Sequence, residues 1–412
     1  MKIDGLSAYL IRIPLKAPYR MADVLIDHVD TVVVRLRSGD VCGWGEVFPG
    51  NTPVLTAAWS RGVFNVLVEC LFPLLTDVGS VDSAERLTEL FESVKGNRHA
   101  KAGIDMAWWD LQSRLHGKPL YEAIGGTRKQ VEVGLTLDRF DDRDRFFEEI
   151  DRAVKEGYRR VTLKIRPGWD VQMLSWVRAE FPTLMIQADV EGALSMERHS
   201  DTIFRFDDFI IASLEQPLAA SEYVGHAMLQ DALRTPICLD ESITTLLQAQ
   251  IAIDLQSGSV FCLKAGKVGG LTEAKAIHDA AVASEVDCYS GFDIQTSIGY
   301  RFALAVGSFK GCTLPADYVR LDEFLTADPG VPLVPVLQDR QAPAETEQAP
   351  HVHHVYDEEA DELIESRSVP HHGAASLEPQ TCRMIELWSE PGIGFEPDLA
   401  MIESHAIDRR LE

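Results

Sequence analysis

Positive charge is scarce in this sequence. Its 412 residues carry 39 lysines and arginines against 64 aspartates and glutamates, a formal net charge of −25. Contact with a phosphate backbone or an anionic membrane needs a basic face, so this balance argues against nucleic acid or membrane as partners. Long apolar runs are missing as well: none approaches the ~20 residues that span a bilayer. Cysteine is sparse, seven residues without a CxxC pair, which indicates neither a disulfide framework nor a zinc site. Cys238, Cys262 and Cys288 lie in strand-like apolar runs, where a thiol behaves as a small buried hydrophobe. Met1 to Leu15 lacks the basic stretch and apolar block of an export signal and alternates like a strand, so the expectation is a cytoplasmic enzyme.

Hydrophobic residues make up 46%, and the length suits one large domain with a smaller one. Residues 1–125 read as an α+β domain. Thr31 to Leu36 and Val41 to Glu46 flank Ser38-Gly39, a hairpin signal. Ile104, Trp108, Leu111 and Leu115 fall on one helical face that Gly117 and Pro119 end. Over residues 126–330 short apolar strands alternate with amphipathic helices, which implies parallel strands with right-handed crossovers. The expected strands are Val131 to Leu137, Val161 to Ile165, Met185 to Val190, Ile211 to Glu215, Ile237 to Asp240, Val260 to Lys264, Val286 to Ser290 and Gly311 to Leu314. Eight such strands suggest a closed barrel, and no glycine-rich phosphate turn supports an open doubly wound sheet. Residues 331–383 form an acidic insertion containing proline and histidine, and its segment 341–380 reads as a solvated polar loop dispensable for chemistry. Its His351, His353, His354, His371 and His372 are capable of holding a metal, but no fixed spacing presents them together. The last segment, 384–412, has strand character from Met384 to Pro397 and is expected to return to the first domain.

Charged residues end five successive strands: Lys164, Asp189, Glu215, Asp240 and Lys264, at spacings of 24 to 26 residues. In a barrel these side chains converge on the C-terminal mouth, where barrel active sites form. Any one of them alone is an ordinary polar strand end; five in consecutive units point to function. Three carboxylates make a hard oxygen site for Mg²⁺, with Mn²⁺ as a substitute. The absence of histidine or cysteine at those strand ends argues against zinc or iron. Such a metal stabilises the charge that builds when the carbon beside a carboxylate loses a proton, and a lysine of lowered pKa is a fit base.

These residues resemble the enolase superfamily, specifically its muconate-lactonizing-enzyme subgroup with o-succinylbenzoate synthases, N-acylamino acid racemases and dipeptide epimerases. The resemblance rests on Leu163-Lys164-Ile165-Arg166-Pro167-Gly168-Trp169-Asp170, Ser213-Leu214-Glu215-Gln216-Pro217, Leu239-Asp240-Glu241-Ser242 and Leu263-Lys264-Ala265-Gly266-Lys267-Val268-Gly269-Gly270. Gly43-Trp44-Gly45-Glu46 and the run from Ala102 to Asp110 extend it into the first domain. It implies a (β/α)7β barrel, a modified TIM barrel of the α/β class, under an N-terminal α+β cap. It further implies metal ligands Asp189, Glu215 and Asp240, catalytic Lys164 and Lys264 on opposite faces of a small-molecule carboxylate substrate, and a homo-oligomer. Lysine at the second base position argues against the mandelate-racemase subgroup, which uses histidine there.

The sequence also departs from the family pattern. Thr162 replaces the first lysine of Lys-x-Lys, removing a cation beside Lys164. Glu191 replaces an asparagine and adds negative charge near the metal. Asp293 and Gln295 stand where many relatives have Met and Glu; Asp293 offers itself to a cationic amine or amidine of the substrate or to a backbone amide, and Gln295 to packing in the barrel mouth. Glu241 adjoins a ligand, and Tyr19 and Phe48 lie in the loops Pro18 to Met21 and Val47 to Thr52 that are expected to close over the substrate. Racemisation or epimerisation of an amino-acid derivative leads among the activities. Syn-dehydration, as in o-succinylbenzoate synthesis or hydroxyproline dehydration, follows, then cycloisomerisation; a non-catalytic binding barrel would show broken ligand or lysine positions, and none is broken.

Overall fold

The computed structural model describes residues 1–21, 24–54, 56–138, 140, 142–339, 352–357, 362–367 and 381–412, with Met21, 352–357 and 362–367 described by backbone alone. The chain begins with β1 (Gly5–Met21), β2 (Val24–Ser38) and β3 (Val41–Val47), an antiparallel meander that builds the cap sheet. Against β3 lies the long helix Arg98–Leu115. The approach is close because Gly43 and Gly45 present no side chain: a Cβ there would collide with the backbone carbonyls of Ala107 and Gly103. Ile104, Trp108 and Leu111 are buried as their spacing implies, whereas Leu115, at the helix end, is 43% exposed.

The second layer is a ring of parallel strands: β4 (Gln130–Leu137), β5 (Arg160–Lys164), β6 (Met185–Asp189), β7 (Ser213–Glu215), β8 (Ile237–Leu239), β9 (Val260–Leu263), β10 (Asp287–Ser290) and β11 (Ala316–Tyr318). Each is joined to the next by a chain segment carrying a helix, from Arg143–Glu156 to Ser297–Gly307. β11 pairs with β4, and Cys288 of β10 donates its N–H to Gly311 O at 3.0 Å, so the ring returns to its start. The last strand is Ala316–Tyr318 and not Gly311 to Leu314. Gly311 and Cys312 contribute only the contact to β10, while the true strand carries Asp317, a buried carboxylate that hides its strand character in the sequence.

β12 (Val336–Asp339) pairs with a later strand across an insertion whose described part is the hairpin β13 (Val352–Asp357) and β14 (Glu362–Arg367). Two paired strands thus stand where a loop is expected. Of the five histidines there, His353 and His354 lie in β13; His351, His371 and His372, with any part they have in metal binding, lie outside the described residues. β15 (Thr381–Glu386) runs antiparallel to the start of β4 and so belongs to the barrel side, not to the cap. The return to the cap begins within the same stretch, where Ile393 N donates to Asp110 and Trp44 Nε1 to Glu396, and is completed when β16 (Ala406–Leu411) pairs with β1. In the stretch Pro18 to Met21, Tyr19 to Met21 are paired with Val24 to Ile26, because a register shift between Pro14 and Tyr19 carries the hairpin onward as strand.

Cap carboxylates bind barrel helices at their first turns. The helix Leu271–Ala283 starts after Gly270, which has no capping side chain; Asp105 replaces it, accepting from Leu271 N at 2.6 Å and Thr272 Oγ1 at 2.5 Å. Glu46 adds to the Thr296 cap of Ser297–Gly307, accepting from Thr296 N at 3.0 Å, Thr296 Oγ1 at 2.6 Å and Gly299 N at 2.8 Å. Asp110 joins Trp44 N at 2.8 Å and Ile393 N at 2.7 Å to Arg114.

Burial drives Asp105 from 3.8 up to about 6 despite its donors. Between those two values the native protein holds a proton that the unfolded chain has lost, so this contribution to stability is present at low pH and disappears as pH rises through about 6. Denaturant titrations of Asp105→Asn should therefore show a slope of stability against pH that is more positive than wild type over this window, by up to ~1.4 kcal/mol per pH unit. An unchanged slope would refute the assignment.

Candidate active site at the barrel mouth

Parallel pairing decides which side chains meet. Register places Lys164 beside Asp189 and Asp189 beside Glu215, all at the C-terminal ends of their strands. Strand alternation then points Arg160, Thr162 and Lys164, Gln187 and Asp189, and Ser213 and Glu215 to one face each. Asp240 and Lys264 follow directly after β8 and β9. All five strand-end residues are at least four-fifths buried, and four of them, all but Glu215, line one cavity of about 100 Å³.

Each lysine is bound to a carboxylate. Lys164 Nζ donates to Asp189 Oδ2 at 2.6 Å and to Glu191 Oε1 at 2.8 Å. Lys264 Nζ donates to Asp240 Oδ2 at 2.7 Å and stands 3.7 Å from Asp293 Oδ1. Burial alone would lower both ammonium pKa values, but the carboxylates win and hold both well above the ordinary lysine range. Lys267, three residues beyond Lys264, donates to Asp240 Oδ1, to Asp240 O and, at 3.4 Å, to Cys262 O. Although burial opposes it, Lys264 and Lys267 together hold the Asp240 carboxyl below its usual value.

Glu215 has no such cation. Gln187 Nε2 donates to its Oε2, and Gln187 is oriented by Arg160, which donates to the amide oxygen and to Asp317. Burial, with Asp189 and Asp240 close by, drives the Glu215 carboxyl well above its usual value. Donor atoms of Glu215, Asp240 and Cys262 lie within 4.8 Å of one another. Asp189, turned to Lys164, is not in that group. Two buried carboxylates without enough positive charge fit a divalent cation, and Asp189 is near enough to raise Glu215 and to join them. Cys262 is present because pairing of Leu239 with Phe261 places it beside Asp240, one layer below Lys264; only the strand ends themselves are free of cysteine.

The other expected residues divide. Tyr19, Phe48, Glu191, Glu241 and Asp293 line the cavity; Thr162 and Gln295 are buried but do not. Glu191 faces the site and not solvent. It bridges Lys164 to Arg166, and these cations hold it far below the usual range although burial pushes the other way. Glu241 is raised to about 8 by burial and by Asp240, and its Oε2 has no partner among the described residues. The Thr162 hydroxyl is likewise buried without one. Gln187, Cys262, Lys267 and His99 belong to the surroundings of the site and were not legible as such. The period of two before Asp189 and Lys264 marks the first two, and proximity to Lys264 marks Lys267; His99, on a cap helix, carries no signal.

Residues 7–125 match the model of the mandelate racemase/muconate lactonizing enzyme N-terminal domain, and residues 145–401 that of the enolase C-terminal domain-like family. An o-succinylbenzoate synthase of Geobacillus kaustophilus is 35% identical over 79% of this chain and 87% of that protein. An N-succinylamino acid racemase of Amycolatopsis is 31% identical over 81% and 90%. The crystal structure of an enolase-superfamily member from Enterococcus faecalis superposes with a TM-score of 0.81 at 25% identity, covering 100% of this chain and 99% of that one. Matched in both domains and in order, the chain belongs to the mandelate racemase/muconate lactonizing enzyme family of the enolase superfamily, and is an enzyme of the isomerase or lyase kind found among these relatives.

Proposed function

We propose that this enzyme removes the proton α to a carboxylate of a small molecule with the aid of Mg²⁺, and that the reaction is racemisation or epimerisation of an amino-acid derivative. The observation that carries this reading is the placement of Lys164 and Lys264. Lys164 ends the second and Lys264 follows the sixth of eight barrel strands, four apart in the ring, and both line one cavity.

Asp189, Glu215 and Asp240 would hold the cation, with Mn²⁺ as a substitute. When bound, the cation would neutralise the substrate carboxylate and stabilise the negative charge that develops as the α-carbon loses its proton. Lysine accepts a proton only when neutral. Asp189 and Asp240 cannot serve an ammonium and a metal equally, so their recruitment as ligands weakens the ion pairs that keep the lysines charged. One lysine then takes the α-proton at Nζ, and the other delivers a proton from the opposite face, inverting the centre.

Syn-elimination of a β-hydroxy acid is the second reading. It is favoured by the asymmetry of the two lysines: Lys164 keeps Glu191 at 2.8 Å, whereas Lys264 has Asp293 only at 3.7 Å. A dehydratase works from one face and leaves the other lysine as a fixed charge.

Asp240→Asn and Glu215→Gln should each weaken Mg²⁺ binding at least tenfold in calorimetry, and wild-type affinity in either would sink the ligand assignment. In D₂O the wild-type enzyme should exchange the α-proton of both enantiomers of a substrate found by screening N-acylamino acids, dipeptides and proline derivatives. Lys164→Ala and Lys264→Ala should each abolish racemisation, with exchange surviving for the enantiomer that faces the remaining lysine. Loss of water from a β-hydroxy acid without exchange of either enantiomer would replace the racemase by the dehydratase.

A further inference from the structure

On the cap side of the cavity stands a histidine that takes no part in the metal site or the proton transfers proposed above. His99, in the first turn of the cap helix Arg98–Leu115, lines the cavity and is only 7% exposed. No hydrogen bond reaches its imidazole among the described residues. Buried polar groups are normally paired, and one left open toward a cavity is fit to pair with what enters it.

Its surroundings define the partner. Burial and the nearby Lys267 ammonium push the imidazole down to about 4, so at neutral pH the ring has one N–H and one lone pair. Lys267 spends its own donors on Asp240 and Cys262 and makes no hydrogen bond to the ring. Its charge nevertheless favours a lone pair on the ring nitrogen nearer the ammonium and an N–H on the other. Position gives the second constraint. The lysines and carboxylates rise from the barrel, whereas His99, Tyr19, Phe48 and Thr56 come from the cap and line the same cavity. A molecule held at the barrel by its reacting carboxylate therefore directs its far end toward the cap.

We propose that His99 is a specificity-determining residue whose imidazole N–H binds an acceptor oxygen, carbonyl or carboxylate, at the end of the substrate remote from the reacting carboxylate. The inference rests on that carboxylate being anchored at Asp189, Glu215 and Asp240. The enzyme thereby favours molecules with two oxygen-bearing ends at a fixed separation over those with one.

The test needs no identified substrate. Straight-chain dicarboxylates from malonate to pimelate, and monocarboxylates of matching length, are titrated calorimetrically into the Mg²⁺-loaded protein. One dicarboxylate length should bind about tenfold more tightly than its matched monocarboxylate, the size of effect expected for one good hydrogen bond. His99→Leu should bring that ligand down to the monocarboxylate level while leaving Mg²⁺ and monocarboxylate affinities unchanged, and His99→Asn, which keeps an N–H, should restore part of the difference. In nitrogen-15 spectra of histidine-labelled protein the same ligand should shift the His99 ring resonances. A wild-type protein with no length preference, or a preference that survives in His99→Leu, overturns the proposal. If Mg²⁺ binds but no carboxylate of either kind does, the metal-anchored reading of the site fails, and His99's role with it.

Discussion

Negative charge packed into a buried barrel mouth is the constraint on which the rest of the structure depends. Asp189, Glu215, Asp240, Glu191, Glu241 and Asp293 are gathered at one end of the strands, where mutual repulsion is far stronger than in water. Lys164, Lys264 and Lys267 relieve part of it, each bound to a carboxylate. Glu215 is left over, and its raised pKa is the residue of that imbalance. The barrel supplies the rigidity that keeps these groups from moving apart, with Arg160 buried beneath them between Gln187 and Asp317 and lying over the Tyr289 ring. Gly134 makes room for that arginine, since a Cβ there would meet its guanidinium.

The cap is held by the same physics in a different setting. Asp105 and Glu46 are buried carboxylates too, but they are satisfied by N–H groups at helix starts, where the helix dipole favours negative charge. Glu46 sits two residues before Phe48, and its partner Thr296 sits three after Asp293, so one buried carboxylate ties a cap loop and a barrel loop that both line the cavity. Cap and barrel therefore present a single continuous wall to a ligand.

Two substitutions relative to the family pattern acquire meaning together. Thr162 withdraws a cation from below Lys164, and Glu191 adds an anion that bridges Lys164 and Arg166. Both changes raise the affinity of Lys164 for its proton. Lys264, paired chiefly with Asp240, has its added anion, Asp293, farther off at 3.7 Å and shares Asp240 with Lys267. The site thus has two lysines of one chemical kind in two electrostatic settings.

The sequence by itself determined the barrel, the cap and the five strand-end residues, because strand alternation and the length of a strand–helix unit are local properties of a chain. It also exposed Thr162, Glu191 and Asp293 as departures. It misplaced the eighth strand, since Asp317 looks like a loop residue until Arg160, 157 positions away, is seen to bind it. It read Cys262 correctly as a small buried thiol within a strand, but not its place beside Asp240, because the stagger between β8 and β9 is a relation between strands that neither strand encodes. His99 was invisible in the sequence, because a histidine in a helix of the cap gains its significance only when the cap is laid on the barrel and its ring lines a cavity that distant residues enclose.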